Sequence, residues 1–159
     1  MTDFTDIDQI IKDYASDLPE DKVPSGAMVC DYNTFKSIYQ LNARASIRQE
    51  KHIVVGMIKV SGFVGGGQAT PGQKKLLFNK VGAILASSLR RDDVLTGFDT
   101  SQYLIMLSNL TMNDAEKVLE RLIKRIVAEL GEGIKIETQL EPIKTPDHDD
   151  PFGRDLKKK

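Results

Sequence analysis

The segment RRDD places an arginine and an aspartate three residues apart, at Arg90 and Asp93. The planar guanidinium group of arginine can bind a phosphate or the edge of a guanine through two parallel hydrogen bonds, and a carboxylate can accept hydrogen bonds from guanine nitrogens. This pair could therefore bind a nucleotide. We favour a structural interpretation over ligand binding, in which Arg90 ends a helix and Asp93 begins a strand in a salt-bridged corner.

Cys30 is the single cysteine, which excludes an intrachain disulfide and a zinc site built from several cysteines, and which is typical of a reducing compartment. The two histidines, His52 and His148, fall before a predicted strand and in the C-terminal tail. Neither position supports a cysteine nucleophile. We expect Cys30 to be a packed or edge thiol.

A glycine-rich stretch, GFVGGGQATPGQ, covers residues 62–73. Gly67 and Gly72 have the spacing of a phosphate-binding loop, but Gln73 takes the place of the required lysine and no serine or threonine follows it. The stretch is therefore predicted to be a flexible connection.

Hydrophobic periodicity assigns the elements that position these residues. Helices are predicted over residues 5–17, 31–49, 74–90 and 113–130, with Asn113 and Glu116 as a capping-box variant at the start of the last helix. Strands are predicted over residues 52–60, 94–98, 102–107 and 134–141. The first strand has the pattern of a central strand buried on both faces, the second and third form a hairpin, and the last alternates like a half-exposed edge strand.

After a leading helix the elements follow the order βαββαβ, which predicts a ferredoxin-like α/β (α+β) sandwich. Its helices lie on one face of a four-stranded antiparallel sheet. We expect this domain over residues 27–142. Residues 1–26 are predicted to form an N-terminal helix and a linker, and residues 143–159 a disordered tail without periodicity or apolar content.

Composition limits the classes of partner. The formal net charge is −1, so a broad basic surface for nucleic acid is not expected. No apolar run approaches the roughly 20 residues that span a bilayer, and the N-terminus is acidic where a signal peptide would be basic. We predict a cytoplasmic protein that binds neither nucleic acid nor a membrane through this segment.

The stretch from Arg90 to Leu107, RRDDVLTGFDTSQYLIML, resembles the centre of a GGDEF domain, the diguanylate cyclase family, which is built on the same nucleotidyl-cyclase-like sandwich. Arg90 and Asp93 match the R-x-x-D pair with which active members bind cyclic di-GMP as a product inhibitor, and Phe98 and Tyr103 keep the aromatic frame. The resemblance implies that this pair could bind cyclic di-GMP or another nucleotide. The signature Gly-Gly-Asp/Glu-Glu-Phe is replaced by Asp99, Thr100, Ser101, Gln102 and Tyr103.

The same resemblance implies that catalysis is lost. Lys59 stands at the family's Mg²⁺-binding aspartate, Ser101 at the metal-binding acid of the turn, and Lys75 at the guanine-contacting aspartate. An ammonium group in place of a metal ligand removes a negative charge and repels the cation. We therefore expect a protein that is not an enzyme and that has no catalytic residues, metal or cofactor.

Two longer stretches, CDYNTFKSIYQLNARASIRQ and SSLRRDDVLTGFDTSQYLIML, resemble the degenerate GGDEF-like domain of some Firmicutes transcriptional regulators. In those regulators the domain follows a DNA-binding or activator module. The resemblance implies a non-catalytic regulatory or dimerising unit in signalling or transcriptional control. Its partner would be a second copy of the chain or another protein.

Overall fold

The computed structural model describes residues 6–16, 26–47, 52–62, 70–131 and 133–144. The predicted linker, most of the glycine-rich stretch and all but the first two residues of the predicted tail lie outside these ranges. The elements follow in the order α1 (Ile7–Ser16), β1 (Met28–Val29), α2 (Tyr32–Ala45), β2 (Ile53–Gly62), α3 (Pro71–Ser88), β3 (Val94–Gly97), β4 (Gln102–Ser108), α4 (Met112–Leu130) and β5 (Ile134–Pro142).

Polar side chains set the helix starts. Asp31 accepts a hydrogen bond from the backbone N–H of Thr34 at the start of α2, and Thr70 forms a capping box with Gln73 at the start of α3. The prediction of Asn113 as the cap of α4 is wrong. Thr111 is the cap, because its backbone is still extended and its hydroxyl accepts from the N–H of Asp114.

The helix predicted to reach Arg90 ends earlier. α3 stops at Ser88, and Leu89 already has an extended backbone. The chain then closes a tight turn in which the N–H of Asp93 donates to the carbonyl of Arg90. Two residues of the predicted helix therefore belong to a corner between α3 and β3.

The sheet has the strand order β1-β3-β4-β2-β5. β2 is central, and its neighbours β4 and β5 both run antiparallel to it, while β3 pairs antiparallel with β4. This confirms the ferredoxin-like arrangement, with β2 buried and β5 at an edge. The predicted count of four strands misses β1, which has only two residues and lies parallel to β3.

The sheet is covered on both faces. Helices α3 and α4 of the βαββαβ unit pack on one face, as predicted, around residues that include Val81, Leu85, Leu122, Ile126, Ile58 and Ile105. The leading helix α2 packs on the opposite face, where Phe35 contacts a cluster that contains Ile53, Val94 and Met106. The expectation that helices occupy one face holds for the unit itself but not for α2.

The chain joins the domain against the last turns of α3. The N–H of Ala27 donates to the carbonyl of Ala86 at 2.9 Å. A Cβ atom at Gly26 would overlap that carbonyl oxygen, so only glycine permits this close approach. Helix α1 lies ahead of this point, and the side chains of Ile7, Ile11 and Tyr14 on it are exposed.

None of the helices that the structure describes is both long enough and apolar enough to span a bilayer.

Candidate functional site

The Arg90–Asp93 corner connects α3 to β3. The N–H of Asp93 donates to the carbonyl of Arg90 at 3.0 Å, and the Oδ2 atom of Asp93 accepts from the N–H of Arg90 at 2.8 Å. The turn is therefore closed from both sides by its first and last residues.

The Asp93 carboxylate also reaches a second segment. Its Oδ1 atom accepts from the N–H of Ser108, at the end of β4, at 3.3 Å. The side chain is only 3% exposed. Because both oxygens accept from backbone N–H groups, this carboxylate joins the end of α3 to the end of β4.

Arg90 lies on the outer side of the same corner. Its guanidinium group donates to the carbonyl of Ser108, and its Nε atom lies 3.7 Å from Asp93 Oδ2 and 3.9 Å from Asp92 Oδ1. About half of the side chain, 51%, remains exposed. Thus the sequence pair is brought together, with its arginine accessible to solvent and its aspartate enclosed.

The signature turn follows β3 at the other end. The Asp99 carboxylate accepts from the backbone N–H of Ser101 and from the Gln102 side-chain amide, each at 2.8 Å. These bonds, the Ser101 N–H first, hold the pKa of the exposed Asp99 carboxyl below its usual value. The N–H of Phe98 donates to the carbonyl of Gln102 at 2.9 Å and closes the hairpin.

Strand β2 carries Lys59 directly beside this turn. Lys59 pairs with Gln102 in the β2–β4 ladder, and the N–H of the next residue, Val60, donates to the carbonyl of Ser101 at 2.9 Å. The Lys59 residue is exposed. Lys59 on β2 therefore lies close to Ser101, which belongs to the turn just before β4.

A groove of about 730 Å³ lies between the first half of α3 and the signature turn. Lys75, which the resemblance aligns with the family's guanine-contacting aspartate, lies in its wall, and so does Asp99. Sequence reasoning missed the rest of the α3 wall, although the i, i+3 and i+4 spacing on one helix face could have indicated it. The residues that line the groove are Pro71, Lys74, Lys75, Phe78, Asn79, Asp99 and Thr100.

Tyr103 anchors the hairpin to α3. Its ring stacks on Phe78 with centroids 4.1 Å apart, and its hydroxyl donates to the Phe78 carbonyl at 2.8 Å. Burial raises the pKa of Tyr103 to about 12. A Cβ at Gly82 would collide with the Tyr103 hydroxyl, so α3 has no room for a side chain at this position. Tyr103 thus forms a packing contact between the hairpin and α3.

Among the described residues no group of three or more His, Cys, Asp or Glu side chains is placed to hold a metal ion. Thr96 on β3 is buried, and its hydroxyl has no hydrogen-bond partner within the described part of the chain. It lies on the α2 side of the sheet and does not line the groove.

Solved structures of similar fold provide the comparison. The structure of a DGC protein from Thermotoga maritima matches with a TM-score of 0.58 at 14% identity, over 74% of this chain and 85% of that one. The FimX GGDEF domain from Pseudomonas aeruginosa matches with a TM-score of 0.58 at 17% identity, over 79% of this chain and 83% of that one. The fold is that of a GGDEF domain.

A third match, the diguanylate cyclase SiaD from Pseudomonas aeruginosa, solved with its activator SiaC, has a TM-score of 0.62 at 14% identity. It covers 89% of this chain but only 59% of that one. No protein-family model matches the sequence, and no curated protein matches it either. At these identities the likeness establishes the GGDEF-like fold, and the chemistry has to be argued from the residues of this chain.

Proposed function

We propose that this chain is a catalytically inactive GGDEF-like module that acts in bacterial signalling or transcriptional control through dimerisation or partner binding. The proposal rests on Lys59 and Ser101, which the resemblance aligns with the family's two metal-binding acids. In the structure Lys59 pairs with Gln102, and the N–H of Val60 donates to the carbonyl of Ser101, so the two residues lie close together. A cyclase needs hard oxygen ligands there to hold Mg²⁺ against the triphosphate.

Electrostatics supports the loss of activity. Two unit charges about 4 Å apart interact by about 4 kcal/mol at the effective dielectric near a protein surface, so the Lys59 ammonium opposes a cation that an aspartate would attract. Ser101 offers a neutral hydroxyl, and that hydroxyl lies 3.3 Å from the Asp99 carboxylate.

The substrate side of the site supports the same proposal. In the resemblance, Asp99 and Thr100 replace the two glycines that would let the backbone approach a phosphate closely. The Asp99 carboxylate, in addition, repels a phosphate group. Lys75 offers donors where an acidic side chain would accept from guanine. The groove between α3 and the turn is thus present, but its walls carry side chains that do not suit the family's substrate.

Partner binding is compatible with this fold. The SiaD structure contains an activator protein, and the DgcB structure from Caulobacter crescentus, with a TM-score of 0.50, contains cyclic di-GMP. By analogy, the present chain would act through such contacts rather than through turnover.

The decisive experiment is a turnover assay with GTP and either Mg²⁺ or Mn²⁺, followed by chromatography of the nucleotides. We expect no product above the background without protein. The matched variants are Lys59→Ala and Ser101→Ala, which change the two metal positions. Product formation by the unaltered chain that either variant abolishes would show an active site and overturn the proposal.

A second candidate function is a receptor for cyclic di-GMP or another nucleotide. The half-exposed guanidinium of Arg90 favours this function, whereas the enclosed Asp93 does not. Calorimetry with cyclic di-GMP tests it. If the chain is a receptor, binding releases or absorbs heat, and Arg90→Ala abolishes this heat. Arg91→Ala makes the same change in charge and should leave the heat unchanged. Absence of heat at micromolar protein removes this candidate.

A further inference from the structure

Strand β5 forms one edge of the sheet, and no other described strand pairs with its outer side. It is nine residues long, from Ile134 to Pro142. An edge of this kind presents a row of unpaired N–H and C=O groups that can pair with another chain. Such a length is more than the usual five or six residues, roughly, of a strand in a globular protein.

The hydrogen bonds to β2 reveal which backbone groups point outward. The N–H of Ile143 donates to the carbonyl of Ile53, next to the pair formed by Val54 and Pro142. Val54 and Pro142 are therefore a non-hydrogen-bonded pair, and the two kinds of pair alternate along an antiparallel ladder. The outward N–H and C=O groups belong to the even-numbered residues Ile134, Ile136, Thr138 and Leu140.

The side chains of β5 divide between the two faces of the sheet. Lys135, Glu137 and Glu141 lie on one face, and the exposed Lys135 and Glu137 side chains are 3.7 Å apart. Ile136 and Leu140 lie on the face that packs toward the α3 and α4 core. Beside Leu140 a groove of about 460 Å³ opens between β5 and α4, and its walls include Met112, Leu119 and Ile123.

We propose that two copies of this chain pair through β5 in antiparallel orientation, with the two-fold axis at Thr138. This inference rests on the proposed function as a dimerising module and names the surface that it uses. In this register Thr138 of one copy exchanges backbone hydrogen bonds with Thr138 of the other. The outward groups of Ile136 meet those of the second copy's Leu140, so one continuous sheet runs through both copies.

In this register, oppositely charged side chains face each other and apolar side chains face each other. Lys135 lies opposite the second copy's Glu141, and the two-fold axis repeats the pair. Residues opposite each other in non-hydrogen-bonded pairs have Cα atoms about 4.5 Å apart, which is close enough for these side chains to interact. Ile136 lies opposite the second copy's Leu140, at the mouth of the α4 groove. The interface is self-complementary, as a two-fold contact requires.

Shifting the axis by one residue loses this agreement. An axis at Gln139 places Glu137 opposite the second copy's Glu141, which is repulsive. An axis at Glu137 places Lys135 opposite Gln139 and shortens the overlap. Of these three registers, the one centred on Thr138 has opposite charges facing each other and the longest overlap.

Sedimentation equilibrium of the full chain over a range of concentrations tests the charge pairing. Lys135→Glu and Glu141→Lys each create two like-charge pairs per dimer, and each is expected to weaken dimerisation by about tenfold. The double exchange, Lys135→Glu with Glu141→Lys, restores attraction and the original dissociation constant. Lys36→Glu makes the same change in charge on α2, outside β5, and is expected to leave dimerisation unchanged.

Thr138→Pro tests the backbone contact. Its N–H points away from β2, so proline removes no bond of the β2–β5 ladder and is tolerated at a sheet edge. We expect a monomer with the circular dichroism spectrum of the unaltered chain. If this variant fails to fold, the loss and restoration of dimerisation in the charge exchange decide the matter.

The outcomes separate the two proposals. A dimer that the edge variants leave intact overturns the assignment to β5 but not dimerisation itself. A chain that stays monomeric at every concentration overturns the β5 contact and the dimerising part of the proposed function. The loss of catalysis is decided independently by the GTP turnover assay.

Discussion

Asp93 precedes β3 and Asp99 follows it, and the two carboxylates bind very different partners. Asp93 is enclosed and accepts from the N–H of Ser108, fifteen residues further along the chain. Asp99 is exposed, and within the described part of the chain its partners are two and three residues away. One aspartate thus holds separate elements together, while the other shapes its own turn. The difference shows that Asp93 has a tertiary role, whereas Asp99 has a local one.

The largest expected effect is that of Asp93→Ala. The substitution leaves the N–H groups of Arg90 and Ser108 without their acceptor in a buried corner, so we expect the free energy of unfolding to fall by about 3 kcal/mol. Urea denaturation measures the change. Asp92→Ala, at a side chain that is 51% exposed, is the control and should change stability by less than about 0.5 kcal/mol. If Asp93→Ala and Asp92→Ala lowered the free energy of unfolding equally, the enclosed carboxylate would be no more important for stability than the exposed one.

Tyr103→Phe has an intermediate expected effect. It keeps the stack on Phe78 but loses the hydroxyl bond to the Phe78 carbonyl, which costs about 1 kcal/mol of stability. Urea denaturation at neutral pH measures it. An effect as large as that of Asp93→Ala would show that the hairpin end of β3 is held as firmly as the corner.

The same tyrosine predicts an alkaline pH dependence. The pKa of Tyr103 rises from 10.0 to about 12 in the folded chain, so the folded state keeps a proton that the unfolded state loses. The stability associated with this group is complete below pH 10.0 and falls as the pH rises toward about 12. Tyr103→Phe should lose this component of the decline, and Tyr14→Phe, at an exposed residue, should not.

Asp99→Ala has the smallest expected effect on stability, because its carboxylate is exposed and its bonds stay within the turn. The lowered pKa of Asp99 means that its contribution is present above the usual value of 3.8 and is lost as the pH falls through the folded value. The variant should therefore lose less stability on acidification than the unaltered chain, as followed by urea denaturation. Asp99→Asn, which keeps one acceptor oxygen, is the matched comparison. A destabilisation at neutral pH as large as that of Asp93→Ala would contradict the comparison.

Periodicity predicted the βαββαβ order because each of those elements has a long apolar face. It could not predict β1, whose two residues pair through backbone groups alone. Nor could it place α2, since an amphipathic helix does not specify which face of the sheet it covers. The cap of α4 was missed for a tertiary reason. Asn109 has a positive φ of 62°, and Leu110 donates to the carbonyl of His52, which together leave Thr111 at the helix start.

The candidate site shows the same limit. The spacing of Arg90 and Asp93 predicted a corner, but the enclosure of Asp93 depends on Ser108, which no local pattern connects to it. The contact between Tyr103 and Phe78 likewise joins residues 25 positions apart. Positions could be predicted from the sequence, whereas the choice between a ligand-binding and a structural aspartate required the fold.

The close packing of Gly26 and Ala27 against Ala86 has a mechanical consequence. Helix α3 has 18 residues and carries Lys75 in the groove wall, eleven residues from Ala86, which corresponds to about 16 Å along the helix axis. The ladder of backbone hydrogen bonds makes an α-helix a stiff element along its axis. One rigid helix therefore joins the point where the chain enters the domain to the groove beside the signature turn.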